Sequence, residues 1–173
     1  MVYLLAQIFG ILGLIVIVIS LFQKQKSKML SFVMLNGIFF GIQYLLLGAY
    51  SGMISNFFGI ARTYCFMKRE NNKNYDKLQV LAFFLIGYII IGFVTFDGSL
   101  IGIFPVIAEI IYVIAMWQKS TKRIRIGTLI MVSLWLVYDI IVMAYPSVIT
   151  DLIVLSSTLI AIYVNDIKKT KEN

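Results

Sequence analysis

Arg62, Glu109, Asp139 and Asp151 interrupt stretches that are otherwise apolar. A charge inside a hydrocarbon layer costs at least about 2.5 kcal/mol on insertion scales unless it meets a partner or a wet cavity. Arg62 and Glu109 each lie about ten residues in from the same end of their stretches, about 15 Å deep at about 1.5 Å per residue, and they carry opposite signs. They read either as an ion pair tying two parts of the chain together or as members of a substrate or proton pathway. Asn56 and Asp151 stand at equivalent places in the third and seventh apolar stretches, which read as the two shortest, and such paired short segments point to a transporter's binding site. One and two turns further along the same face come Gly59 and Thr63, and correspondingly Val154 and Thr158. The competing reading is that these small and polar residues hold helices together through interhelical hydrogen bonds. Phe40 and Trp135 are followed within a turn by Gln43-Tyr44 and Tyr138-Asp139. An aromatic platform beside hydrogen-bonding groups suits a small polar, partly ring-shaped solute; plain packing is the alternative. Bond-breaking chemistry is not expected. The chain has no histidine and one cysteine, Cys65, which excludes the usual nucleophilic sets, zinc and haem ligand sets and any intrachain disulfide. No metal and no cofactor is expected.

These residues fall into two sets related by a constant step. Residues 7–67 lie over residues 102–162 without a gap at an offset of 95. The matches include Val18/Val113, Gln23/Gln118, Lys24/Lys119, Ala49/Ala144, Tyr50/Tyr145, Ile54/Ile149 and Thr63/Thr158, with Asn56 opposite Asp151 and Phe40 opposite Trp135. Apolar matches alone would mean little between lipid-facing helices, but the Gln-Lys, Ala-Tyr and Asn/Asp matches share the same offset. Internal repeats of this kind mark many transporter folds.

The elements that must position these residues are membrane helices. With 61% apolar, 14% aromatic and 13% charged residues, the chain lacks the polar residues to cover a water-facing surface. Apolar spans long enough for a hydrocarbon core read as Tyr3–Phe22, Leu30–Tyr50, Met53–Met67, Leu78–Phe96, Leu100–Trp117, Ile126–Tyr145 and Val148–Val164. Three helices per repeat is an odd number, so Leu78–Phe96 serves to return the chain and leaves the two copies parallel. The expected fold is therefore all-α, seven transmembrane helices as two parallel three-helix bundles joined by a linker helix. Residues 1–70 form the first bundle, 71–98 the cytoplasmic linker and inversion helix, 99–167 the second bundle and 168–173 a tail.

The net charge of +7 does not point to nucleic acid, because the basic residues sort by loop and not onto a soluble face. Fourteen of the fifteen lie in the first, third and fifth connections and the tail, among them Lys24, Lys68, Arg69, Lys119, Arg123, Lys169 and Lys171. The exception is Arg62. The alternate connections, Gly48–Gly52, Asp97–Ser99 and Tyr145–Ser147, hold no Lys or Arg, so the positive-inside rule places the N-terminus outside and the C-terminus in the cytoplasm. The first helix carries its lysines on the wrong flank for a cleaved signal and is expected to remain.

The layout and the strings Leu134-Trp-Leu-Val-Tyr138 and Ala144-Tyr-Pro-Ser-Val-Ile-Thr-Asp151 resemble the SWEET and PQ-loop transporter superfamily, in which a Trp-x-x-Tyr stretch and a later Asn frame the solute. The first-copy strings Ser20-Leu-Phe-Gln-Lys-Gln-Lys-Ser-Lys28 and Leu47-Gly-Ala-Tyr-Ser-Gly-Met-Ile-Ser-Asn56 look most like YgjV-like bacterial inner-membrane proteins. The resemblance implies that the solute-binding amide falls on Asn56 and its counterpart on Asp151, and that the aromatic falls on Phe40 and Trp135. It departs at the Pro-Gln pair that kinks the first helix of each unit there; this chain has Gly10 and Gly13 instead, and Pro105 in the fifth helix. If proline supplies the hinge there, this chain must hinge at glycine or not rock at all.

The combined expectation is a facilitator or proton-coupled carrier of a small polar metabolite such as a sugar, amino acid or vitamin precursor, in the bacterial inner membrane. Its candidate solute contacts are Asn56, Asp151, Phe40, Trp135, Gln43, Tyr138 and Asp139, with Arg62 and Glu109 as ion pair or proton path. Its partners are the lipid bilayer and that solute, and a homo-oligomer is compatible with it. A non-transporting membrane scaffold is the alternative; a seven-helix receptor of the retinal type is opposed by the lack of a lysine in Val148–Val164.

Overall fold

The computed structural model describes residues 1–69 and 72–168. Glu70 and Asn71 of the basic linker, and the tail from position 169 with Lys169 and Lys171, lie outside the described residues. A chain in lipid has no water with which to satisfy its backbone, so each spanning segment must close its own hydrogen bonds as a helix. The regular structure among the described residues is accordingly all helical, with no strand. In order they form α1 (Val2–Leu21), α2 (Lys26–Leu46), α3 (Tyr50–Arg69), α4 (Leu78–Val94), α5 (Phe104–Trp117), α6 (Thr121–Ile141) and α7 (Tyr145–Ile162), with a π turn over Tyr163–Lys168 after α7.

Among the described residues, five segments are long and apolar enough to cross a membrane: Val2–Ser20, Ser27–Leu46, Leu100–Trp117, Thr121–Ile141 and Tyr145–Asp166. Helix α4 is as apolar but, at 17 residues, shorter. Helix α3 has the length, at 20 residues, but not the apolar composition. Its Ser51, Ser55, Arg62 and Thr63 are buried against protein and not against lipid, which is where polar groups at membrane depth are tolerated. By contrast α1 turns Leu4, Ile8, Ile11 and Ile15 outward, and α4 turns Phe83, Ile86, Ile90 and Phe93 outward, a surface suited to contact with lipid tails.

The sequence makes the third and seventh spans the shortest; the structure does not. Helix α3 runs 20 residues and α7 runs 18, whereas α5 is the shortest at 14. The reason lies at the start of α5. Leu100–Ile103 winds as a 3-10 turn, and Pro105, which has no N–H to donate and a preset φ, falls in the first helical turn. Charge, in turn, does not stop a helix, so α3 continues through Lys68 and Arg69.

Helix α1 packs on α2 and α2 on α3; α5 packs on α6 and α6 on α7. The two trios meet along α1–α7 and along α3–α5, which closes a circuit of six helices, and α4 lies outside it against α5 and α3. The α2–α3 and α6–α7 turns are built alike. Residue 48 is glycine with φ +72 and residue 143 is methionine with φ +59, both left-handed. In each turn the next N–H reaches back five residues, Ala49 to the Tyr44 carbonyl at 2.9 Å and Ala144 to the Asp139 carbonyl at 2.9 Å, as in a Schellman cap. Glycine holds that conformation freely, and Met143 holds it at a cost.

Candidate functional site

Inside the circuit is a cavity of about 360 Å³ lined by residues from α1, α2, α3, α5, α6 and α7 and by none from α4. That is the small end of the range for solute-sized pockets. Along α2, Phe40 and Tyr44 are one turn apart and share the face that looks inward; along α6, Trp135 and Asp139 do the same. Each member of one pair is the 95-residue counterpart of a member of the other. Tyr44 donates its hydroxyl to Asp139 Oδ1 at 2.7 Å, and its ring stacks on Trp135 with centroids 5.6 Å apart and planes 27° from parallel. Asn56 and Asp151 enter from α3 and α7. Asn56 spends one amide hydrogen on the Gly52 carbonyl of its own helix at 3.1 Å. Asp151 shares the cavity wall with Asp139, and its Oδ2 is buried without a hydrogen-bond partner.

Further along the same cavity, Arg62 of α3 and Glu109 of α5 meet as a buried ion pair. The guanidinium also donates to the Tyr88 hydroxyl of α4 at 3.2 Å and lies over the Tyr112 ring at 4.7 Å. Thr63 lines the wall beside them, its hydroxyl bonded to the Gly59 carbonyl at 2.8 Å. The remaining wall, towards the lysine-rich ends of the helices, is mainly apolar: Ile17, Met29, Leu30, Phe66 and Met116.

Not every residue singled out in the sequence lies here. Gln43 and Tyr138 are outside the cavity wall. Each is turned from its inward-facing neighbour, Tyr44 or Asp139, by the helical step of about 100° per residue. Gln43 instead accepts a hydrogen bond from the Ser147 hydroxyl at 2.8 Å, and the Tyr138 hydroxyl accepts one from the Gly52 N–H at 3.1 Å. The two bonds are copies of each other, since Tyr138 is the counterpart of Gln43 and Ser147 that of Gly52. Thr158, expected on the inward face, is buried elsewhere. Tyr44, Tyr112 and Thr150 line the cavity and were not among the expected contacts. Tyr44 could have been found from the repeat, because it occupies the position of Asp139.

Gly10 and Gly13 stand where α2 comes close to α1. A Cβ on Gly10 would come within 2.5 Å of the Gln43 amide nitrogen, and one on Gly13 within 2.5 Å of the Phe40 ring. They are notches that let α2 side chains press against α1, which runs unbroken from Val2 to Leu21.

Bonds between the trios gather at the end carrying the short turns. Besides the Tyr44, Gln43 and Tyr138 contacts, Ser51 donates to the Gly102 carbonyl and Gln7 to the Met143 carbonyl at 2.9 Å. At the opposite end, Arg69 lies on the Trp117 ring at 3.9 Å, reaches the Met116 and Trp117 carbonyls and pairs with Asp76 at 2.6 Å. Among known proteins, residues 4–169 match the model of the family Imp-YgjV, described as bacterial inner membrane protein. No curated protein and no solved structure matches the chain.

Proposed function

Since the chain belongs to this family of bacterial inner membrane proteins, we propose that it carries a small polar solute across that membrane. In this reading α1–α3 and α5–α7 are two parallel halves that open alternately around the central cavity, and α4 is the helix that returns the chain between them. The observation that carries the reading is the cavity itself, enclosed by all six repeat helices and walled on both sides by counterpart residues, Phe40 with Trp135 and Asn56 with Asp151. Aromatic faces beside carboxyl and amide groups bind a solute through its ring or apolar edge and its donors at once. The chemistry is binding and not bond breaking.

Alternating access needs bonds between the halves at one end that can be exchanged for bonds at the other. The paired Gln43–Ser147 and Tyr138–Gly52 hydrogen bonds are suited to that exchange, because each is single, polar and made across the seam. With the lysine-rich ends in the cytoplasm under the positive-inside rule, these bonds lie at the outer side, and the Arg69 contacts with Met116 and Trp117 are their counterpart at the inner side.

Thermal-shift screening of the purified protein against sugars, amino acids, nucleosides, amines and vitamin precursors tests the proposal. A ligand present at about 100 times its Kd stabilises by about 2.7 kcal/mol, and the stabilisation should vanish in Asp151→Leu while that variant remains folded. Absence of any stabilising solute, with the cavity variants unfolding as the parent does, would favour a scaffold.

A further inference from the structure

The cavity has an imbalance of charge. Among the described residues, its wall holds three carboxyl groups, Glu109, Asp139 and Asp151, and one basic side chain, Arg62. Arg62 is paired with Glu109, which leaves Asp139 and Asp151 in the wall with no further basic side chain among the described residues that line it. Two carboxyl groups buried in one wall, one of them with an oxygen left without a partner, are accommodated by a proton held between them, or else by a cation. Beside them stand the Trp135 ring and the Tyr44 ring stacked on it, with the Phe40 ring also in the wall. Aromatic faces next to carboxylates are the surroundings that recognise an ammonium group, through the ring quadrupole and the opposite charge together.

Resting on the carrier reading above, we propose that the cargo is a small organic cation, a protonated amine on a flat apolar body, whose ammonium sits between Asp139 and Asp151 against Trp135 and which exchanges with the proton those carboxyls share. The proton leaves as the ammonium enters, so the charge of the site is the same with either occupant. That is the stoichiometry of cation-for-proton exchange. The ionisable groups surrounding the pair are the Tyr44 hydroxyl from α2, the Tyr138 hydroxyl beside Asp139 on α6 with Asp97 beyond it, and, further along, Arg62 of α3 with Glu109 and Tyr112 of α5. From α1, Ile17 lines the wall, and it is not ionisable. The Arg62–Glu109 pair compensates itself, so competition between amine and proton is referred to Asp139 and Asp151.

Benzylammonium binding to the purified full-length protein, with benzyl alcohol and benzoate as neutral and anionic analogues of the same shape, tests the inference. Benzylammonium should bind and the two analogues should not, and its affinity should fall as the medium is acidified, because protons then compete for the same carboxyls. Asp151→Asn and Asp139→Asn should each lose about tenfold or more, the loss of a charge-assisted hydrogen bond, and Trp135→Leu about tenfold. The proton competition is read on the unaltered chain and so does not depend on any variant folding. Equal binding of benzyl alcohol, preference for benzoate, or benzylammonium affinity indifferent to acid and to both Asn substitutions would overturn the cation inference. Should benzylammonium fail to bind while a neutral sugar or nucleoside stabilises the protein through Asp151, the cation inference falls and the carrier reading stands; should no solute of any charge bind, both fall.

Discussion

Tyr44 and Asp139 are hydrogen-bonded to each other at 2.7 Å across the seam between the two trios, and they are 95 positions apart, the offset that superposes the two halves of the sequence. A residue can touch its own repeat counterpart only beside the axis relating the copies, so this contact marks where that axis passes. The repeat has placed a hydroxyl donor on one side of it and a carboxyl acceptor on the other, a bond that two identical residues at this position would make less well.

Tyr44→Phe removes the donor and leaves the buried Asp139 carboxyl short of a partner. The expected cost is about 1.5–3 kcal/mol, as for a hydrogen bond to a group that can carry charge, read as a lower unfolding midpoint in detergent. An unchanged midpoint would mean that Asp139 finds another donor at no cost.

Gln43 and Ser147 form one bond of the pair that joins the halves at the turn end. Gln43→Leu with Ser147→Ala in a double-mutant cycle should give a coupling of about 0.5–1.5 kcal/mol. Tyr138→Phe, which orphans the Gly52 N–H in the first turn of α3, should cost about 1 kcal/mol. Because the two bonds are repeat copies on opposite sides of the axis, loss of either should weaken the same closed end.

Arg62 and Glu109 are buried together, and a buried charge without its partner is expensive. Arg62→Ala and Glu109→Gln should each destabilise by about 3–5 kcal/mol, while the double variant should lose clearly less than the sum of the two. Strict additivity in unfolding measurements would show that Tyr88 and Tyr112, and not the ion pair, account for the single losses.

Met143 holds a left-handed φ of +59 where its counterpart is Gly48, and its side chain is exposed. Met143→Gly should stabilise by up to about 1 kcal/mol, as the relief of the left-handed conformation outweighs the added freedom of the unfolded chain. Met143→Val should destabilise by a comparable amount. The Gln7 bond to the Met143 carbonyl involves backbone on the Met143 side and is retained in both.

Much of this arrangement was legible in the residues. Seven helices, the sorting of lysines to one end and the counterpart relation of Asn56 with Asp151 all follow from composition, charge placement and the offset of 95. Which face each helix turns inward did not follow. In a soluble helix the apolar stripe marks the buried side, but lipid and protein interior are equally apolar, so the period in α1 or α4 carries no such mark. That is why Gln43 and Tyr138 fall among the expected solute contacts; the one-turn spacing of Phe40 with Tyr44 and of Trp135 with Asp139 is the usable signal. The late start of α5 was likewise hidden, because Leu100–Ile103 is as apolar as the helix it precedes, and Pro105 permits a helix start without dictating where it falls.

The central claim is that solute passes between the two halves, and the most direct measurement is uptake into proteoliposomes of the solute selected by the stability screen, with the turn end clamped. In a Cys65→Ser background, Gln43→Cys with Ser147→Cys can be bridged by a short bifunctional thiol reagent. The account predicts that bridging abolishes uptake while solute binding from the opposite side persists, and that the unbridged variant retains uptake. Undiminished uptake after complete bridging would contradict movement of the two halves about the Tyr44–Asp139 axis.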